Sequence, residues 1–355
     1  MKSDNTTLKD IAAVLGVSTT TVHRALNGKP GISDTLRLEI QNLAAKMNYQ
    51  TNLAASALKR KQIRIGVLLP EPLLENRYYY SALWTGIRQF IDELGNFNAK
   101  LREFYFPLLP DGHGNALKDL FENHLGEIDG LITIGIASNK SSYFMEKISQ
   151  ANIPCVVLGS DLYKNARLCC VKAFDEMAGS LAAELFTAFL PDHFQGTIIL
   201  TGNPVGESGM VDQYLNISGF EEYIQQYRPS LQLHTAYCAD TAPLENLLSP
   251  ILSDKTLLPY GIYASSARHT VKMCQLLEHY GLAGTVKLIG NDNFPKNLEY
   301  IKKRTLTASV DKKTSRQSYT AASILFEYLS LGHYPSQDVI QIQPDILMKS
   351  NLPSI

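Results

Sequence analysis

The hydrophobic period of the chain changes at Ile63, and that change constrains the fold more than any other feature. From there on, short apolar runs of strand length alternate with amphipathic stretches of helix length. Ile65-Gly66-Val67-Leu68-Leu69-Pro70 reads as a buried strand and Ser81–Leu94 as a helix, followed by strand Lys100–Tyr105 and helix Asn115–His124. Strand Gly130–Ile134, helix Ser141–Ala151 and strand Cys155–Leu158 continue the series up to a polar break at Asp161–Asn165. The alternation then resumes through strands near Leu168–Val171, Thr197–Thr201, Leu231–Tyr237, Tyr260–Ala264, Val286–Gly290 and Leu306–Val310. The intervening helices reach a last one at Thr314–Leu331. Apolar strands that alternate with helices specify parallel sheets covered on both faces. Two such units, joined near Asp161 and again near 291–310, make a bilobed body, and a cleft at the carboxyl ends of the strands is the expected ligand site.

Residues before Ile63 follow a different pattern. Thr7 caps a helix Leu8–Leu15, Ser18 caps a second, Thr19–Asn27, and Ser33 caps a third, Asp34–Met47. Val22 and Leu26 share one face of the second helix, which leaves Thr19, Thr20, His23 and Arg24 outward. A short helix with exposed donors at its N-terminal end is what a helix-turn-helix lays in the DNA major groove, although an ordinary helical hairpin reads the same way. Asn52–Lys59 is rich in alanine and only about two turns long, marginal as a helix on its own. Charge adds to the DNA reading. Residues 1–64 hold ten Lys and Arg against four acids, and the remaining 291 residues hold 23 against 30. A basic head on an acidic body is the electrostatic footprint of a small nucleic-acid module carried by a larger domain.

No apolar run approaches the ~18 residues of a membrane span, and Met1-Lys2-Ser3-Asp4-Asn5-Thr6 leads to no apolar signal region. The five cysteines (155, 169, 170, 238, 274) are odd in number and lack metal-ligand spacing, which points to free thiols in a reducing cytoplasm. No cofactor and no metal are expected.

The pattern Leu8-x-Asp10-Ile11-Ala12, Gly16-Val17-Ser18-x-x-Thr21-Val22-x-Arg24-x-Leu26-Asn27, Ile32-Ser33, Tyr49-x-x-Asn52, Ala55-x-x-Leu58 resembles the lactose-repressor/galactose-repressor (LacI/GalR) family of bacterial transcription factors. The resemblance runs over the whole chain. It implies an N-terminal all-α helix-turn-helix headpiece (1–50), a hinge helix and linker (51–62), and an α/β bilobed periplasmic-binding-protein-like body of two parallel-sheet, Rossmann-like lobes. The N-lobe is expected over 63–160 and 310–338, the C-lobe over 161–309 and 339–355. It further implies that Thr19, Thr20 and Arg24 face base edges and that His23 reaches phosphate or base. Thr7, Ser18, Thr21 and Asn27 then contact the DNA backbone. Asn52, Ala55 and Leu58 belong to a hinge helix paired in the minor groove, with Leu58 as the wedge. Thr51 stands where the family usually has proline.

In the body, the resemblance points to Tyr79, Tyr80, Trp84, Asn216, Ser265, Asp292 and Lys312 as ligand-binding positions. Several depart from the family pattern. Asn216 replaces a usual arginine, Ser265-Ser266 replaces an Asn-Asp pair, and Lys312 stands where sugar binders often have glutamine. Aromatics of the Tyr78–Trp84 stretch suit an apolar sugar face, with two of the three tyrosines expected in the core. The implied protein is a cytoplasmic, homodimeric regulator, in first expectation a repressor, of a pseudo-palindromic double-stranded DNA operator. A sugar or sugar derivative between the lobes would control it, with no membrane association. Two other readings stay open. One is a constitutive DNA binder with a degenerate sensor. The other is an α/β enzyme, for which the chain offers no Gly-x-Gly-x-x-Gly, Gly-x-x-x-x-Gly-Lys-Ser/Thr or His-Glu-x-x-His, and only a superficial nucleophile-like turn at Gly206–Gly209.

Overall fold

The computed structural model describes residues 8–26, 31–47, 62–73, 77–95, 99–188, 190–191, 194–202, 214–238 and 241–352. They fall into two compact units, the headpiece and a body that starts at Gln62.

The headpiece has α1 (Leu8–Leu15), α2 (Thr19–Leu26) and α3 (Asp34–Lys46). Gly16 ends α1 with φ of 65°, a conformation glycine adopts without strain, and the Val17 amide turns back onto the Ala12 carbonyl at 3.1 Å. Ser18 then starts α2, its Oγ accepting the Thr21 amide at 3.1 Å. Ile11, Ala12, Val22, Ala25, Ile40 and Ala44 form the buried centre, ringed by Leu15, Val17, Leu26, Ile32, Leu36, Leu43 and Met47. Every helix contributes apolar residues at helical spacing, so each closes the same small core.

The body runs β1 (Ile63–Pro70), α4 (Arg77–Leu94), β2 (Ala99–Phe106), α5 (Gly112–Asp119), β3 (Gly130–Ile134), α6 (Asn139–Gln150), β4 (Cys155–Leu158) and β5 (Cys169–Ala173). It continues with α7 (Asp175–Thr187), β6 (Thr197–Gly202), α8 (Leu215–Tyr227), β7 (Gln232–Tyr237), α9 (Pro243–Leu252), β8 (Gly261–Ala264) and α10 (Ala267–His279). The last elements are β9 (Lys287–Asn291), α11 (Pro295–Lys303), β10 (Ala308–Asp311), α12 (Thr314–Leu331), β11 (Val339–Ile342) and β12 (Asp345–Leu347). Two six-stranded sheets result, ordered β11-β5-β4-β3-β1-β2 and β12-β10-β9-β8-β6-β7. All pairings are parallel except β10 with β12. The first sheet makes the N-lobe and the second the C-lobe. The strands are apolar runs because helices cover both faces.

The sheets correct the expected lobe boundaries. Asp161–Asn165 is no crossing; it joins β4 to β5 within one sheet, with Val156 paired to Cys169. Arg167 fixes that loop, with Nη1 at 2.6 Å from Asp161 and Nη2 at 2.9 Å from Asp338. The chain instead crosses between lobes three times: Ala173 to Asp175, Asp311 to Thr314, and Ile342 to Asp345. Residues 161–173 and 339–342 therefore belong with the N-lobe, and β10 with the C-lobe. Hydrophobic period identifies a strand but not the sheet that it joins, which explains the displacement.

Candidate functional site

On the headpiece, the first turn of α2 is the exposed feature. Thr19, Thr20 and Arg24 are exposed, while Val22 and Ala25 on the opposite face are fully buried. Ser18 Oγ lies 2.9 Å from Thr21 Oγ1 as well as capping the Thr21 amide, so both hydroxyls are engaged in starting the helix. The result is a rigid edge that carries two hydroxyls and a guanidinium outward. Thr7, Asn27, Asn52, Ala55 and Leu58 lie outside the described residues, as does the side chain of His23.

In the body, the chain crossings bring charged groups together at the ends of the C-lobe strands. Asp175 opens α7 directly after the first crossing, and Lys312 sits in the second. Lys312 Nζ lies 3.6 Å from Asp175 Oδ1, with both side chains largely buried. Burial alone would push the Lys312 ammonium down, but Asp292 and Asp175 outweigh it and hold it above the usual lysine range. Asp292 follows β9 in a left-handed conformation, φ 72°, and is 8% exposed. Its backbone is fixed on three sides. Its amide donates to the Val310 carbonyl at 2.8 Å, and its carbonyl accepts from Asn297 Nδ2 at 3.0 Å and Ser309 Oγ at 2.8 Å. Burial first, with Asp311 and Asp175 adding and Lys312 opposing, pushes the Asp292 carboxyl up to about 6. Its Oδ1 is buried without a hydrogen-bond partner.

The N-lobe supplies aromatics from the start of α4. Tyr78 stacks on Phe294 of the C-lobe, centroids 4.3 Å apart at 27°, a direct contact between lobes. Tyr79 feels Asp175 and Asp292, and its phenol is pushed well up by burial and then by Tyr80 and these carboxylates. Tyr80 is buried edge-on against Tyr79, centroids 5.2 Å apart. Asn216 and Ser265 meet, with Asn216 Nδ2 donating to the Ser265 carbonyl at 2.7 Å.

Trp84 is a correction. It is 1% exposed, its indole N–H donates to the Pro70 carbonyl at 3.4 Å, and its ring packs 4.8 Å from Tyr105. It stands four residues beyond Tyr80, one helical turn further along, and so packs inside the N-lobe between α4, β1 and β2. Of the expected ligand positions, Tyr79, Asp292 and Lys312 form one electrostatic cluster, Asn216 and Ser265 sit side by side at strand ends, and Tyr80 backs Tyr79. Asp175 and Phe294 were missing from the expected set. The signal for Asp175 was available: an acid between a buried strand and the first turn of a helix. Its place at an interlobe crossing was hidden by the misplaced boundary.

Residues 73–333 match the family described as Periplasmic binding protein domain, and residues 7–52 match Bacterial regulatory proteins, lacI family. The chain is 28% identical over 222 residues to the HTH-type transcriptional regulator DegA of Bacillus subtilis (strain 168), covering 62% of this chain and 61% of that one. It is 27% identical over 182 residues to catabolite control protein A of Staphylococcus aureus (strain Mu50 / ATCC 700699), covering 50% and 51%. The chain thus spans between about half and three-fifths of the length of the curated relatives it matches. In fold it is similar to GanP, a glucose-galactose binding protein from Geobacillus stearothermophilus, with TM-score 0.67 at 21% identity over 83% of this chain and 100% of that one.

Proposed function

The chain belongs to the family described as Periplasmic binding protein domain and carries, at residues 7–52, a match to the lacI family of bacterial regulatory proteins; on that premise we propose that it is a DNA-binding transcriptional regulator whose operator affinity is set by a small ligand taken between the lobes. The observation that carries this reading is the headpiece itself. A capped helix on a tight three-helix core turns Thr19, Thr20 and Arg24 outward together. A guanidinium pairs bidentately with guanine O6 and N7, and the threonine hydroxyls serve either base edges or phosphates. Ser18 and Thr21, with Thr7, His23 and Asn27, are proposed for backbone contacts, and Asn52, Ala55 and Leu58 for a minor-groove hinge.

The regulator acts in the cytoplasm as a homodimer on a pseudo-palindromic site. DegA is named as an HTH-type transcriptional regulator and the second relative as a catabolite control protein, which supports a regulatory rather than an enzymatic role. A sugar-like ligand is supported by the polar cluster at the C-lobe strand ends and by the fold that the chain shares with a glucose-galactose binding protein. Closure on the ligand changes the relation of the N-lobes and with it the headpieces, a coupling of typically ~1–3 kcal/mol.

The test is binding selection from random duplex DNA with the full chain, followed by fluorescence anisotropy on the selected site at two salt concentrations. Enrichment of a two-fold-symmetric site and a steep salt slope are expected. Absence of both sinks the reading.

A further inference from the structure

The buried polar groups around the C-lobe strand ends share one chemical bias. Asn216, Asn291 and Asn297 are all 2% exposed or less. Each directs its amide N–H groups at neighbouring oxygens. Asn216 Nδ2 reaches the Ser265 carbonyl at 2.7 Å, and Asn291 Nδ2 reaches the Ala264 carbonyl at 2.8 Å and Tyr263 Oη at 3.2 Å. Asn297 Nδ2 reaches the carbonyls of Asn291 and Asp292 at 2.9 and 3.0 Å. Those bonds fix the amide orientations, since only the NH2 end can serve a carbonyl. In each of the three, Oδ1 is left buried and unpartnered, as is Oδ1 of Asp292. Four orphaned acceptors around the C-lobe strand ends call for donors, because a buried acceptor without one is costly.

Charge points the same way. The carboxylates of Asp175 and Asp311 both act on Asp292, and Lys312 opposes them there while lying 3.6 Å from Asp175. Lys313 turns to Asp345 at 2.7 Å. Arg268, at the start of α10, acts on Tyr80 and His269. An anionic ligand would bring its charge against the buried, unpartnered Asp292 Oδ1, whereas an ammonium supplies the donor that this atom lacks.

From these acceptors and the carboxylate excess we propose that the ligand of the cleft is a hydroxyl-rich molecule bearing an ammonium group, of the amino-sugar class, and that the site rejects phosphorylated and carboxylated sugars. The inference rests on the ligand-taking reading above and specifies its chemistry. Asp292 Oδ1 receives the ammonium, the Asn216 oxygen receives a hydroxyl, and Tyr79 lies beside the carboxylates that face the ligand.

Isothermal titration of the full chain at neutral pH tests it with D-glucosamine, D-galactosamine and D-mannosamine, their neutral parent hexoses, and the 6-phosphates of those hexoses. At least one amino sugar is expected to bind about tenfold or more tighter than its parent hexose, with the matching 6-phosphate weakest of the three. Asp292→Asn, which a left-handed backbone tolerates, is expected to erase the amine preference, so that the amino sugar and its parent hexose bind the variant alike. A 6-phosphate that binds as tightly as its parent, or an amino sugar no better than its parent, overturns the inference and leaves the ligand-taking reading standing. Equal amine preference in Asp292→Asn overturns it as well. Failure of every probe at millimolar concentration counts against the ligand-taking reading and carries this inference down with it.

Discussion

At the scale of single residues, two side chains carry more than their size suggests. Ser18 Oγ accepts the Thr21 amide, one of the free amides in the first turn of α2. Ser18→Ala is expected to lower headpiece stability by ~1 kcal/mol, read as faster amide hydrogen exchange along α2 in the full chain; unchanged exchange would remove the cap from the account. Asp292 has the opposite character, a carboxyl buried without a full set of partners. Its folded value near 6 lies above the ordinary 3.8, so the fold prefers the protonated form. The stability it contributes is fully present below about 3.8 and is lost as pH rises through about 6. Lys312, Asp175 and Asp311 face the same group and move with it. Asp292→Asn mimics the protonated form and is expected to stabilise the body by up to about 3 kcal/mol at pH 7.5, with the gain shrinking toward zero near pH 4. Urea unfolding of both proteins across that range measures it, and a gain independent of pH contradicts it. The sequence marked Asp292 by resemblance alone. That its carboxyl is buried with one oxygen unpartnered, beside Asp175, Asp311 and Lys312, depends on how the C-lobe strand ends pack, which no local pattern encodes.

At the scale of elements, α7 and α8 approach through a pair of glycines. A Cβ on Gly179 would stand 1.8 Å from the Asn216 carbonyl oxygen, and one on Gly219 would stand 2.1 Å from the Glu176 carbonyl oxygen. The two backbones touch, and that closeness positions Asn216 at the strand ends. Gly179→Ala is expected to force the helices apart and to destabilise by ~2–3 kcal/mol or more. Gly126→Ala, with nothing within 4 Å of its Cβ position, is expected to change stability little. Thermal unfolding of the two variants compares them, and equal effects would refute the close-contact account. Most elements were legible beforehand, since Val, Ile and Leu runs for strands and 3.6-period stripes for helices are written locally. The elements that escaped, α11, β11 and β12, are short or half-polar: β11 has a single fully polar position among partly buried ones, and β12 has three residues. Such pieces owe their form to the neighbour they pair with.

At the scale of the whole molecule, the lobes of the body meet through Tyr78 and Phe294. Replacing either with alanine breaks the same stack, so the two substitutions are expected to couple by about 1 kcal/mol in a double-mutant cycle on body unfolding. Strict additivity would show that the stack contributes nothing between lobes. The amino-acid sequence by itself determined the three headpiece helices, the outward set Thr19, Thr20 and Arg24, and the alternation that makes parallel sheets. These follow from caps, turns and hydrophobic period, all of which act within a few residues. The tertiary structure alone decided which sheet each strand joins, where the chain crosses between lobes, that Trp84 is core rather than cleft, and that Asp175, Lys312 and Asp292 meet. Asp175 and Lys312 are 137 positions apart, and only the packing of two sheets brings their charges within 3.6 Å.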